Sequence, residues 1–317
     1  MGIGATAVAA LLAVLERPAT WLLGLVGFLV RGGWLIVLAP IVVLPTAVGI
    51  ANVVAPLVED IAFGRRTDEV TTAGLMTLIV ALIWLIGGGL IAAAAEVEGV
   101  RQTLVGLGDD SPHEPPRYPI WRVFAVRCLT LIPLLVALGW SAVRLTSVGY
   151  RELTVPSDVA TPIVYRILAG APDAVIALVL TWLFAEIVGG LAARRVILGT
   201  AHARDAIRQS VRDLRGRAWR LVGLALLSAA VLVAVAGITG LATGTTWDGL
   251  RAVLADGDVS AGAIALLVLF VALFIAGLVI LGLATAWRSA VWTVVVARDV
   301  RPSAGTFGGG ARTRTGD

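Results

Sequence analysis

Six stretches of the chain, near 33–57, 74–95, 122–146, 172–193, 219–241 and 262–287, are predominantly apolar over twenty residues or more. That is the length at which a helix crosses a hydrocarbon core about 30 Å thick. No soluble fold hides so much apolar surface: hydrophobic residues make up 58% of the 317 and charged ones 15%, against about 45–50% and about 25% in ordinary soluble domains. The fold class expected is therefore an all-α, polytopic integral membrane helix bundle. It has six transmembrane helices and interfacial amphipathic helices, and residues 1–300 form one membrane-embedded domain.

The connections alternate in charge. Those at 58–73, 147–171 and 242–261 hold five arginines and nine acids. The N-terminal segment, the connections 96–121 and 194–218 and the tail hold most of the remaining arginines. Arginine and lysine near span ends stay on the cytoplasmic side, so both termini and these two connections are expected there, in the plasma membrane of a prokaryote. Residues 1–32 carry two shorter apolar stretches split by "ERP" at 16–18 and are expected to form interfacial or re-entrant helices. The first of them, "ATAVAALLAVL", lacks the basic start of a secretory signal and is expected to be retained. Residues 301–317 read as a disordered cytoplasmic tail.

The even spans resemble one another. "LIWLIGGGLIAAAAE" from Leu82, "LTWLFAEIVGGLAAR" from Leu180 and "LFIAGLVILGLATAW" from Leu273 share an apolar or aromatic start, small residues midway and polar or aromatic groups at the end. With arginine-bearing entries before the odd spans, the chain reads as three tandem helical hairpins, and internal repeats of this kind are common in membrane folds. Small residues such as Gly189, Gly190 and Ala193 let lipid-embedded helices approach closely.

Chemistry-bearing residues are few. The single cysteine, Cys128, excludes a disulfide framework. His113 and His202 have no neighbours that make a nucleophile or metal site, and "WDGLRAVLADGD" at 247–258 lacks the ligand spacing of a calcium loop. No catalytic residue, metal or cofactor is expected, and the chain is read as no enzyme. The net charge of +4 comes from arginines beside apolar blocks, which points to anionic lipid rather than nucleic acid.

Two groups of residues stand out. In "ARDAIRQSVRDLRGRAWR", 203–220, Arg204, Arg208, Arg212 and Arg215 form one helical stripe beside Ile207, Val211 and Leu214, and Asp213 is in i+4 register with Arg217. This is the pattern of an interfacial helix resting on anionic lipid head groups. The other is Glu186, a carboxylate within an apolar span. It is placed roughly 12 Å below Arg194 by the helical rise, and Arg127 falls at a matching depth on the preceding antiparallel span. A structural Arg127–Glu186 ion pair is expected, with a proton or ion site as the alternative, because an ionisable group at depth is by default a functional candidate.

The six-span layout, with the last span ending "ATAWRSAVWTVVVA" at 284–297, resembles the membrane domain attached to some glycerophosphodiester phosphodiesterases and its stand-alone bacterial relatives. The resemblance implies a non-catalytic membrane module, the phosphodiesterase chemistry of those proteins belonging to a separate soluble domain. Two functions are compatible with all this. One is a non-enzymatic protein of envelope maintenance or a scaffold for partners. The other is a secondary or partner-driven transporter of a small molecule or lipid.

Overall fold

A computed structural model of the chain describes residues 2–42, 67–108, 119–155, 157–158, 160–199, 201–255 and 260–304. Among them the secondary structure is helical throughout: α1 (Ile3–Leu15), α2 (Ala19–Phe28), a π-helical turn (Leu29–Gly33) leading into α3 (Trp34–Leu38), α4 (Thr67–Gly106), α5 (Pro119–Thr154), α6 (Ile163–Gly170), α7 (Pro172–Ile197), α8 (Ala203–Ala255) and α9 (Ala261–Ala304). Six helical stretches are long and apolar enough to cross a membrane: Ala19–Leu38, Thr71–Gly106, Pro119–Thr154, Pro172–Ile197, Ala203–Ala255 and Ala261–Asp299. The chain is a multi-pass, all-α membrane protein.

The first of these stretches falls largely within residues 1–32, which were expected to form interfacial or re-entrant helices. The break at residues 16–18 separates α1 from α2 as expected, but α2 continues through the π-turn and α3, so 19–38 is the first stretch of spanning length among the described residues. Arg31 had marked a boundary in the sequence. In the structure its guanidinium is satisfied by a carboxylate, and Gly32, at φ 98°, supplies the backbone freedom that lets the helix continue past the widened turn. After Leu38 the chain turns at Pro40, and 43–57 lies outside the described residues. So does the tail beyond Ala304, as far as which α9 extends.

The contacts divide the chain into two compact units. Unit 1 comprises residues 1–16, 100–229 and 287–317, and unit 2 comprises 17–99 and 230–286. In unit 1, α5 packs on α7 through Val123, Val126, Thr130, Ala137, Ser141 and Val148, all buried. They follow one another at intervals of three, four or seven residues, the spacing of one helix face. The Ser141 hydroxyl donates to the Ala174 carbonyl at 3.2 Å, tying the two helices. Helix α1 joins this unit where Gly106 meets the Ala13 backbone and where the Trp287 indole donates to the Ala7 carbonyl at 2.9 Å. Gly199, at φ 70°, closes α7 in the left-handed conformation that ends many helices.

Unit 2 is joined by glycine contacts. A methyl group at Gly24 would lie 2.6 Å from the Ala286 backbone nitrogen, and one at Gly282 would lie 2.6 Å from the Trp21 carbonyl. The backbones of α2 and α9 therefore touch, and dispersion between close backbones supplies the cohesion that water cannot supply in lipid. Trp34 and Trp84 meet edge to face at 6.2 Å.

Burial changes along the helices. On α7, Val179 and Leu180 are exposed, whereas Ala185 and every residue from Ile187 to Ile197 are buried. On α9, Leu267, Val268, Leu269 and Ile275 are exposed, whereas Ala290 to Ala297 are buried. The exposed stretches are rich in Leu, Val and Ile, and on α7 the buried stretch carries Gly189, Gly190, Arg194 and Arg195.

A buried charged cluster in unit 1

Glu186 sits on the buried half of α7. Its Oε2 lies 2.8 Å from Nη2 of Arg288. Oε1 accepts from Arg288 Nε at 3.0 Å and from the Trp292 indole N–H at 3.2 Å. The guanidinium thus grips the carboxylate with two parallel bonds, the geometry that makes arginine–carboxylate pairs both strong and directional. Both side chains keep only about a fifth of their surface exposed, 18% for Glu186 and 20% for Arg288. Such a pair gains little net stability over an apolar replacement, but removing one member strands the other.

The local sequence explains why these groups meet. Glu186 and Gly190 are one turn apart on α7, and Arg288 and Trp292 are one turn apart on α9. Gly190 leaves room for the Trp292 ring, which would lie 3.2 Å from any β-carbon there. The small residue therefore seats the indole, and the seated indole aims its N–H at Glu186.

The expected partner, Arg127, is at hand on α5. Its Nη1 lies over Gly189, only 3.1 Å from where a β-carbon would stand, one turn from Glu186 on α7. The expectation thus identified a neighbouring cation and missed Arg288, which supplies the bidentate pair. The missed signal was a second ionised residue in an apolar run. The expected span ended at 287, so Arg288 counted as a surface residue.

Further charges are buried about two turns on along α7. Arg194, 1% exposed, donates from Nη2 to the Ser289 hydroxyl at 2.7 Å and to the Ser289 carbonyl at 3.2 Å, and from Nη1 to the Gly190 carbonyl at 3.3 Å. Arg195 donates to the Ser210 hydroxyl at 2.8 Å and pairs with Asp213. This replaces the i+4 pairing of Asp213 with Arg217. Helix α8 bends at Arg217 (φ −134°, ψ 31°), which removes the helical geometry that register needs, and Arg217 pairs instead with Asp299 at 2.9 Å.

The arginine stripe lies as expected on the stretch before the bend. Arg204, Arg208, Arg212 and Arg215 are all exposed, and Ala206 and Ser210 on the opposite face are buried. His202 is exposed, and His113 lies outside the described residues. Among the described residues no group of three or more His, Cys, Asp or Glu side chains is arranged to hold a metal ion.

Chemically, the cluster pins one carboxylate between a bidentate guanidinium and an indole N–H and locks α7 to α9. Against protein-family models, curated proteins and solved structures, the chain finds no match.

Proposed function

We propose that the chain is a non-enzymatic scaffold of a prokaryotic plasma membrane, acting in envelope maintenance, with both termini in the cytoplasm and its arginine stripe on anionic lipid head groups. The observation that carries this reading is the state of Glu186. A carboxylate that relays protons or ions must change partners, and this one is held by two guanidinium bonds and an indole N–H in a tightly packed helix contact. Its charge serves register between helices, which suits a rigid platform. The resemblance to the membrane module of certain glycerophosphodiester phosphodiesterases agrees with a role that leaves chemistry to other proteins.

The test is direct. Proteoliposomes carrying the purified protein are expected to show no proton or cation flux above empty liposomes, and native mass spectrometry of the detergent-purified protein is expected to retain a protein partner or lipid. A flux abolished in a stably folded Glu186→Gln variant would transfer the protein to the transporter class. Cysteine accessibility after Asp68, Ser157 and Asp256 is expected to report the outer side, and cytoplasmic labelling at two of the three sites would overturn the topology.

A further inference from the structure

The bend in α8 opens a second site, within unit 1 and separate from the Glu186 cluster. A cleft of about 510 Å³ is lined by Arg217, Arg220, Val295, Arg298 and Asp299. Three guanidinium groups face one carboxylate, and that carboxylate is taken: Arg217 Nη1 reaches both oxygens of Asp299, at 2.9 and 3.2 Å. Arg220 donates from Nη2 to the Thr6 hydroxyl at 3.3 Å. Among the described residues, Nε of Arg220 and Nη1 of Arg298 are buried and have no hydrogen-bond partner. Buried polar groups are almost always hydrogen-bonded, so each exception calls for an account. Three arginines and one aspartate give the cleft a net positive charge, which favours an anion there.

The chemistry selects the anion. Planar guanidinium forks match the tetrahedral oxygens of phosphate, and arginine recurs wherever phosphate is gripped by more than one bond. The location agrees. The cleft lies where the amphipathic stretch of α8, with its exposed arginine stripe, ends and the apolar run begins. Trp219, next to the bend, is 88% exposed, the usual posture of an indole anchoring a helix at head-group level.

We propose that this cleft binds a phosphate group, monoester or diester, between Arg220 and Arg298, with Arg217 held in place by Asp299. The inference rests on the membrane assignment and not on the scaffold role, so a measured transport activity would leave it standing.

The experiment uses the full-length protein in non-ionic detergent and two probes. Phosphatidylglycerol, with diacylglycerol as the phosphate-free control, is followed by native mass spectrometry, and inorganic phosphate by calorimetry. One saturable equivalent of phosphatidylglycerol without phosphate binding assigns a lipid head group, and saturable binding of inorganic phosphate assigns a free anion. In either case Arg298→Gln and Arg220→Gln are each expected to weaken binding about ten-fold or more, the effect of losing one charge-assisted hydrogen bond. Arg144→Gln, at an exposed arginine paired with Asp173 and absent from the cleft, is expected to leave it within about two-fold. Arg298→Lys keeps the charge and loses the fork; it serves where the Gln variant fails to fold, and is also expected to bind more weakly. Saturable binding of neither probe, or binding unchanged by substitutions at Arg220 and Arg298, overturns the proposal.

Discussion

The arginine–glutamate pairs Arg31–Glu96 in unit 2 and Arg288–Glu186 in unit 1 each tie two helices, and they differ in where their charge goes. In unit 2, Arg31 Nη2 meets Glu96 Oε2 at 2.7 Å, with the glutamate side chain 4% exposed and the arginine 48% exposed. In unit 1, Glu186 and Arg288 are both about four-fifths covered, and the glutamate takes an indole N–H besides. Arg31 can turn its guanidinium to water or head groups along its own alkyl stem, and Arg288 has no such retreat. The same two residue types therefore make an adjustable contact in one unit and an obligatory one in the other.

Substitution at Glu186 should break that comparison most sharply. Glu186→Ala strands Arg288, adds to the positive charge from Arg127 and frees the Trp292 N–H, so a loss of about 3–5 kcal/mol is expected, read as thermal unfolding followed by size exclusion in detergent. A smaller loss than that of Glu96→Ala would erase the distinction between the pairs. Next come the glycine contacts, where Gly24→Ala should cost about 1–3 kcal/mol as an overpacking change. Gly190→Ala should cost less, because Gly24 faces backbone that cannot yield and Gly190 faces an indole ring that can shift. The reverse order would show the Trp292 seat to be the stiffer of the two.

In unit 2, Glu96→Gln should lose about 1–2 kcal/mol by removing a charge-assisted bond, and the loss should change little when Arg31→Gln is added. The corresponding cycle of Glu186→Gln with Arg288→Gln should instead show strong coupling, the double variant recovering much of what each single one loses. Additive losses in that cycle would mean the bidentate contact carries no specific energy. The smallest effect belongs to Asp299→Asn. Its partner Arg217 is 53% exposed, and half-exposed pairs are worth about 0–1 kcal/mol.

Much of this was legible in the sequence, and the failures share a cause. Hydropathy located the cores of the later spans because the length of an apolar run is a local property. At Arg31 the run is interrupted, and only a partner distant in sequence, Glu96, shows why a helix carries that charge onward; most of the expected span 33–57 lies outside the described residues. The arginine stripe of α8 was readable from periodicity, as its exposure in the structure bears out, whereas the Asp213–Arg217 pairing failed at a bend that no spacing announces. Glu186 was singled out correctly as a charge in need of a partner. Periodicity reports which residues share a face of one helix and not which helices touch, so Arg288 and Trp292 stayed hidden.

The 102 residues between Glu186 and Arg288 also set a clock. A ribosome adding about 5–20 residues per second delivers α9 on the order of 5–20 s after α7, and for that time the carboxylate enters the bilayer without its principal cation. Arg127, already made and at hand on α5, is the available stand-in, which gives the second guanidinium a task distinct from anything it does in the finished protein. Arg127→Gln should accordingly lower the inserted yield, measured as membrane-integrated protein per unit synthesised, more than it lowers the unfolding temperature of the molecules that do assemble. Equal effects on both would confine Arg127 to the completed structure.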